Sequence, residues 1–484
     1  MRVDLVPRIL FLLKRNNLTV NYFFVHLVFL LFLGKSFAFS SDEGGYLYTF
    51  SNLYGSELDS NPQYGSGWIA APKWFLQVVY VPAKILSLVG FPDLLSIRLL
   101  SVFFATYCVW LLLSLIKDHD ENKKFAQFVI ISSFCIPSIF LWTSLGLRES
   151  FIILELVLVL KGMHVLFTHE SNLRAQLYIS LGAFGLLCTK AYLWVIVVLS
   201  VVALCLLYLV LRKSNWKRIS LQSLLSILII PLAIFSLSSS SYALSFLLQS
   251  DIGGVSSRSG DSIAQVSVDV PTTSATPTPT TSATQKVLTF HGDYSLILIH
   301  DYLKTNPNSI FTRVLRLSGI EGVIQQKWDS KVATGISSKS GKVGTTKISF
   351  NSHQLQPGSI SNPFSVIRPA ILFLFGPIPF VGNPGFAASV ASFESPLWWI
   401  LILLVVSNLL RLPIRRSLQN PSIMFPLILL IGFVIFSAIV EVNLGTSFRH
   451  RSIILPALLF VYLESRSQRL SKSLASAESA KAPE

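Results

Sequence analysis

The chain has 484 residues, of which 52% are hydrophobic and only 13% charged, and its mean hydropathy is +0.60. These values exclude an ordinary soluble globular protein and indicate a chain that crosses a membrane many times. The net charge of +15 could suggest nucleic-acid binding. However, about half of the Lys and Arg residues fall in short segments between apolar stretches, and no basic run with interleaved aromatic residues occurs. We therefore expect no nucleic-acid partner.

Ten stretches are apolar enough to be membrane-spanning helices, which need ~20 residues each. They are residues 18–39, 94–116, 125–142, 150–167, 175–189, 191–211, 219–248, 396–411, 422–440 and 452–465. The short segments after every second stretch are basic, so the positive-inside rule places them in the cytoplasm with both termini. The basic N-terminus also fits a cleaved signal peptide, but residues 36–38 form a poor cleavage site.

The sequence thus predicts an all-α polytopic membrane protein of about ten transmembrane helices with a long outer loop. We divide it into four parts, which are an N-terminal transmembrane module (1–248), an outer loop (249–366), a C-terminal transmembrane module (367–466) and a cytoplasmic tail (467–484). We expect a multi-pass protein of a bacterial plasma membrane, in contact with membrane lipids and with its active site on the outer face.

Three segments outside the spans have distinctive patterns. Residues 271–284, PTTSATPTPTTSAT, form a low-complexity linker that cannot bury a core. In the acidic first outer loop, 40–93, the part from Trp74 to Leu88 is helical in pattern and predicts an amphipathic helix on the membrane. Residues 368–381 are apolar but contain two prolines, so we expect a re-entrant or interfacial segment.

The sequence contains no recognisable cofactor or metal motif. All four cysteines lie in apolar stretches and are best interpreted as small hydrophobic residues. Neither a glycine-rich phosphate loop nor an HExxH pattern occurs. We therefore predict no resident cofactor, and the sequence does not decide whether a divalent cation is used.

Two adjacent acids follow the first apolar stretch in the segment SDEGGY. Asp42 and Glu43 lie where charge near hydrocarbon is costly and usually functional. They are candidates for a general base and a neighbouring acid that act on a lipid head group. Alternatively, they form the solvated start of a helix, where acids gain a few tenths of a kcal/mol from the dipole.

A second candidate pair lies at the outer junction of the third and fourth stretches. Arg148 suits phosphate binding because its guanidinium matches phosphate oxygens. Arg148 and Glu155 are seven residues apart and therefore share a helix face, and Glu149 lies beside them. The two acids are candidate supporting residues. An internal Arg–Glu pair that only fixes the hairpin is an equally good interpretation.

The third candidate is the segment TSFRHR at the outer start of the last stretch. Arg449, His450 and Arg451 favour anion binding, because arginine is disfavoured on the outer side of membrane proteins. Cations that snorkel to the interface would give the same pattern. Lys190, at an outer turn between two short spans, is a weaker member of the same set.

Three short motifs resemble those of the GT-C superfamily, which transfers sugars from polyprenyl-phosphate carriers and includes protein mannosyltransferases and aminoarabinose transferases. SSDEGGYLYTF resembles the acidic motif of its first outer loop, SIRLLS at 96–101 resembles the entry to its second span, and FLWTSLGLRE at 140–149 resembles the outer end of its next hairpin. The resemblance covers roughly residues 18–211. The C-terminal half is more similar to membrane proteins of bacterial polysaccharide clusters.

The resemblance implies an inverting glycosyltransferase with a lipid-linked donor and a glycan, lipid or protein acceptor. Asp42 would be the general base, and Glu43 a second acid that orients it or the acceptor. Arg148, Lys190 and the segment 449–451 would bind the lipid phosphate. Two alternatives stay open, an O-antigen-type polysaccharide polymerase that depends on the outer arginines and a lipid-linked glycan flippase or transporter. The flippase is less favoured because ionisable residues in the middle of the spans are few.

Overall fold

A computed structural model provides the structure of this protein. It describes residues 17–34, 41–51, 65–116, 123–168, 173–211, 221–233, 366–376, 386–440 and 444–479, together with Pro307 and Arg316. Within these ranges the chain is almost entirely helical and has no β-strand. The described part of the chain therefore has the architecture of an all-α membrane protein. The predicted linker 271–284 and nearly all of the outer loop 249–366 lie outside the described residues.

The described part of the chain forms fifteen helices. They are α1 (Asn17–Leu33), α2 (Ser41–Ser51), α3 (Gly65–Leu88), α4 (Asp93–Leu113), α5 (Lys123–Phe134), α6 (Pro137–Ser144), α7 (Glu149–Thr168), α8 (Leu173–Thr189), α9 (Ala191–Val210), α10 (Leu221–Ala233, with a π-helical turn at Leu225–Ile229), α11 (Ile367–Phe375), α12 (Phe386–Leu410), α13 (Ile414–Gln419), α14 (Pro421–Val440) and α15 (Leu444–Ser479).

Five of these helices contain a stretch long and apolar enough to cross a membrane. They are α4, α7, α9, α12 and α14, and the bent pair of α5 and α6 would make a sixth span. Helices α1, α8 and α10 are apolar but shorter. The last predicted span, 452–465, lies inside the longer helix α15, where residues 451–466 are buried. The apolar helices therefore follow the order of the predicted spans, although their lengths differ.

The third predicted span, 125–142, is not one straight helix, so that prediction was wrong in shape. Helices α5 and α6 meet at an angle of 65°. Pro137 begins α6, and a proline disfavours the helical conformation in the residue before it. Ile136 accordingly leaves the helix, with φ −54° and ψ 127°. The break directs α6 towards the turn that precedes α7.

Two predicted short segments are helical. The helix expected from Trp74 to Leu88 forms the second part of α3, which packs against α4. In the segment 368–381, α11 has nine residues and ends at Gly376. A helix of that length is ~13 Å long, less than half of the hydrocarbon thickness. Its length is therefore that of a re-entrant or interfacial helix, and residues 377–385 lie outside the described part.

Helix α7 is the centre of the bundle and packs against α4, α8, α14 and α15. Its closest neighbour is α8, because glycines on both helices leave room for the facing backbone. A Cβ added at Gly162 would lie 2.6 Å from Cγ1 of Ile179 and 2.8 Å from the carbonyl oxygen of Ala175. Such contacts are too short for any larger residue, so the glycines set the distance between the two helices.

Two side-chain contacts show that α7 and α15 run parallel and in register. Near their starts Arg449 pairs with Glu149, and fifteen residues later on both helices His164 lies 2.7 Å from Glu464. At 1.5 Å per residue these pairs are ~22 Å apart. Residues that were predicted to be outer thus gather at one end of the bundle, and residues that were predicted to be inner gather at the other.

Candidate functional site

Three distant parts of the chain meet at one end of the bundle. They are the turn between α6 and α7, the junction of α8 and α9, and the start of α15. Three cationic side chains and one histidine lie there, and we call the four together the cation cluster: Arg148, Lys190, Arg449 and His450. Each was singled out from the sequence as a phosphate-binding candidate, and the structure brings all four together around Glu149.

Arg449 and Glu149 form the first contact of the cluster. Nε of Arg449 donates to Oε1 of Glu149 at 2.7 Å, and Nη2 pairs with the same oxygen. Glu149 is 2% exposed, and its other oxygen, Oε2, has no hydrogen-bond partner among the described residues. The guanidinium of Arg449 lies 5.0 Å from the ring centroid of Trp142, within cation–π distance. Arg449 thus joins α15 to both α6 and α7.

Lys190 and His450 form the second contact. Lys190 lies between α8 and α9 and is 3% exposed. Its Nζ is 2.9 Å from Nε2 of His450 and 3.2 Å from the hydroxyl of Tyr192. When Lys190 is an ammonium group it can only donate, so Nε2 of His450 then accepts and the ring is the neutral tautomer with its proton on Nδ1.

Arg148 and Glu155 meet through Thr189, at the end of α8. Nη1 of Arg148 donates to the carbonyl oxygen of Thr189 at 3.1 Å, and the Thr189 hydroxyl donates to Oε2 of Glu155 at 2.6 Å. The shared helix face that the sequence predicted therefore takes the form of a bridge through α8. Gly185 gives the Glu155 carboxyl its space, because a Cβ at this position would collide with it.

The acidic motif of the first outer loop lies at the same end. Helix α2 begins at Ser41, so Asp42 is in its first turn, and the side chain of Asp42 is outside the described side chains. Glu43 is 1% exposed and forms a two-point ion pair with Arg98, with Nε–Oε1 and Nη2–Oε2 distances of 2.7 Å. The backbone N–H of Gly146 also donates to Oε1 of Glu43, at 3.0 Å.

Arg98 is the residue of this site that the sequence analysis did not identify. Besides Glu43, it binds the carbonyl oxygen of Gly34 at 2.6 Å, and it is fully buried. It therefore connects the ends of α1, α2 and α4 with the turn that carries Gly146 and Arg148. Its only signal in the sequence was its place in the motif SIRLLS, where a cation at the outer start of a span could have been matched with Glu43.

Arg451 lies apart from the cation cluster. Its Nε donates to the carbonyl oxygen of Phe373 at 2.9 Å, Nη2 contacts that of Gly376, and the guanidinium is 5.6 Å from the ring centroid of Trp398. It is 1% exposed. Two helical residues correspond to 200° of rotation, so Arg449 and Arg451 face opposite sides of α15. Arg451 holds the end of α11.

Comparison of the chain with protein-family models, with curated proteins and with solved structures finds no match. The chemistry of the site must therefore be argued from its own residues. Arg148, Lys190 and Arg449 all lie within electrostatic range of the Glu149 carboxylate. Two arginines and a lysine around one or two carboxylates at helix ends suit an anionic ligand. Among the described residues, no group of three His, Cys, Asp or Glu side chains could hold a metal ion.

A small apolar cavity lies directly below the cluster, between α7, α9, α14 and α15. Leu156, Leu193, Phe433 and Ile453 are among the residues that line it, and its volume is about 10 Å³. This is room for one water-sized group. An isoprenoid chain does not fit, so a lipid whose phosphate bound the cluster would have its tail outside this cavity.

Proposed function

We propose that this protein is a membrane glycosyltransferase that moves a sugar from a polyprenyl-phosphate donor to an acceptor in the synthesis of a cell-surface polysaccharide or glycoconjugate. The observation that carries the proposal is the cation cluster. Cations from three separate chain regions meet at the end of the bundle where the acidic motif of the first outer loop also lies.

The proposed reaction is a single displacement with inversion. The acceptor hydroxyl oxygen attacks the anomeric carbon, the bond from that carbon to the phosphate oxygen breaks, and its electron pair leaves with the lipid phosphate. Arg148, Lys190 and Arg449 would stabilise the charge that develops on the phosphate. Asp42 would take the proton of the acceptor hydroxyl, a contribution of ~10²–10⁴-fold in rate.

The position of Asp42 in the chain supports its proposed role as the base. Its neighbour Glu43 is fixed on two sides, by Arg98 and by the N–H of Gly146. This holds the first turn of α2 beside the turn that carries Arg148. Glu43 would thus orient the base without touching the substrate. The start of a helix also favours an ionised carboxylate, the form that a base requires.

The proposed topology has ten spans, both termini in the cytoplasm and a GT-C-like arrangement. The parallel helices α7 and α15 agree with it, because both would cross from the outer to the inner side. The cation cluster would then face outwards, where a flipped polyprenyl-phosphate sugar is available. No cytoplasmic nucleotide site is needed for such a donor.

Binding of farnesyl phosphate, a short polyprenyl phosphate, tests this proposal. We expect purified wild-type protein in detergent to bind farnesyl phosphate at least ~10-fold more tightly than farnesol, because the cations bind only the phosphate. Arg449→Gln should lose most of this preference. Arg415→Gln is a matched control, because Arg415 is an exposed arginine on α13, outside the cluster. Equal binding of farnesol and farnesyl phosphate by the wild-type protein would refute the proposal.

A polysaccharide polymerase that acts on a lipid-pyrophosphate oligosaccharide is the second candidate. The number of basic side chains favours it, since two arginines and a lysine match a pyrophosphate better than a single phosphate. Farnesyl pyrophosphate in the same assay separates the two. A polymerase should bind the pyrophosphate ~10-fold more tightly than the monophosphate, whereas the enzyme proposed above should prefer the monophosphate or not discriminate.

A further inference from the structure

One carboxylate oxygen of Glu149, Oε2, has no hydrogen-bond partner among the described residues, and this indicates a function for the carboxylate. Arg449 approaches it from one end, so that Nε and Nη2 both contact Oε1, while none of the described residues donates to Oε2. A two-point arrangement satisfies both oxygens, as Arg98 does with Glu43. A buried carboxylate oxygen that lacks a hydrogen bond costs free energy, and such atoms in native proteins require an explanation.

We propose that Oε2 of Glu149 accepts a hydrogen bond from a hydroxyl group of the transferred sugar. This inference rests on the proposed function, because the sugar is brought there by the phosphate that the cation cluster would bind. The sugar is joined directly to that phosphate, so a phosphate held by the cation cluster would bring sugar hydroxyls close to the Glu149 carboxylate. An amino sugar is less suited, because the neighbouring cations would repel an ammonium group.

A purely structural role for Glu149 makes a different prediction. If the carboxylate only held Arg449 in place, its loss would weaken phosphate and sugar binding together. If it binds the sugar, its loss weakens only the contribution of the sugar. Phosphate binding should then stay the same or improve, because a negative charge has been removed from among three cations.

The experiment compares four ligands with the purified full-length protein in detergent. Farnesyl phosphate measures the phosphate contribution. The farnesyl phosphates of glucose, galactose and mannose measure what the sugar adds. We expect at least one of the three to bind wild-type protein ~10-fold or more tightly than farnesyl phosphate, the effect of one charge-assisted hydrogen bond.

In Glu149→Gln we expect the sugar to add little affinity over farnesyl phosphate, while the affinity for farnesyl phosphate itself is unchanged or higher. Glu149→Asp is the second variant, because it keeps the charge and withdraws the carboxylate by one methylene group. It should also lose most of the gain, and it replaces Glu149→Gln as the deciding variant if the latter does not accumulate.

The outcomes separate this inference from the proposed function. Wild-type protein that binds farnesyl phosphate no better than farnesol refutes both. Wild-type protein that prefers the phosphate but gains nothing from any of the three sugars overturns the inference alone. The same conclusion follows if the deciding variant retains the full sugar gain, or if phosphate and sugar binding fall together.

Discussion

Two arginine–glutamate pairs lie at the same end of this bundle and differ in how fully they are closed. In the pair of Glu43 and Arg98, both carboxylate oxygens are bound, and the side chains are 1% and 0% exposed. In the pair of Glu149 and Arg449, a single oxygen takes both contacts, and the arginine is 18% exposed. The chemical groups are identical, so the difference lies in geometry and surroundings.

The pair of Glu43 and Arg98, which we call the closed pair, has little capacity to bind anything else. Arg98 also donates to the carbonyl of Gly34, and Glu43 accepts from the N–H of Gly146. Breaking a buried pair leaves an uncompensated charge, which costs more than the pair itself contributes. The pair of Glu149 and Arg449, which we call the open pair, lies in the cation cluster, where basic side chains outnumber carboxylates. We infer that the first pair fixes the helix ends and that the second is available to a ligand.

The largest effect should follow from breaking the closed pair. Glu43→Gln leaves the buried guanidinium of Arg98 without its counter-ion, so we expect a loss of ~3–5 kcal/mol in stability. The measurement is accumulation of folded protein in the membrane. The double variant Glu43→Gln/Arg98→Gln is the control and should accumulate better than either single variant. Normal accumulation of Glu43→Gln would contradict the structural role of this pair.

The next largest effect should come from Asp42, the neighbour of the closed pair. Asp42→Asn removes the proton acceptor and keeps the shape, so transfer of labelled sugar from a polyprenyl-phosphate donor should fall by ~10²-fold or more. Donor binding should be nearly unchanged, because a base acts on the chemical step.

Asp93→Asn is the matched control for Asp42. Asp93 is also an acid at a helix start, but it is paired with Lys84 at 2.9 Å and part-exposed. Its replacement should leave the transfer rate within ~2-fold, as expected for a surface ion pair. A polymerase that works through the outer arginines would instead tolerate Asp42→Asn, and that result would remove Asp42 from the mechanism.

The members of the cation cluster could be predicted from the sequence, but their contacts could not. Arg148 was selected because its guanidinium matches a phosphate, and Arg449 because arginine is unusual on the predicted outer side; both lie near Glu149, whereas Arg451, selected with Arg449, lies apart. Which acid meets which cation depends on how helices that are distant in the chain pack. Glu149 and Arg449 are 300 residues apart, and only the register of α7 and α15 brings them together.

The order of the apolar helices was likewise readable from hydropathy, whereas their shapes were not. Hydropathy does not record a bend, although Pro137 was a local signal for the break between α5 and α6. The different faces of Arg449 and Arg451 could also have been recognised, had the helix been taken to start before them. At 100° per residue, side chains two apart cannot share one face.

A third prediction compares these two arginines directly. Arg451 contacts the carbonyls of Phe373 and Gly376, so Arg451→Gln should lower accumulation through a loss of ~1–3 kcal/mol. The affinity of the remaining protein for farnesyl phosphate should change little. Arg449→Gln should show the opposite, with weakened phosphate binding as its main effect, because Arg148 and Lys190 still face the buried Glu149 carboxylate and limit the loss of accumulation. If Arg451→Gln accumulates normally and raises the apparent KM for the donor, Arg451 is a phosphate ligand, as the sequence alone suggested.

The smallest effect should come from the contact between His164 and Glu464 at the far end of the same two helices. Their side chains are 22% and 11% exposed, and a Gln of the same shape can still accept a hydrogen bond there, so we expect a loss of about 1 kcal/mol or less. At ~22 Å from the cluster, the charge of Glu464 should change phosphate binding by well under 1 kcal/mol. Glu464→Gln should therefore accumulate almost normally and bind farnesyl phosphate with wild-type affinity. Arg449→Gln, measured in parallel, is the corresponding variant at the end that carries the cation cluster. A loss of phosphate affinity as large as that of Arg449→Gln would show that the two ends are coupled through α7 and α15. The cation cluster would then not be a local binding site. The difference between the Glu149–Arg449 pair and the Glu43–Arg98 pair would depend on how α7 and α15 pack along their whole length.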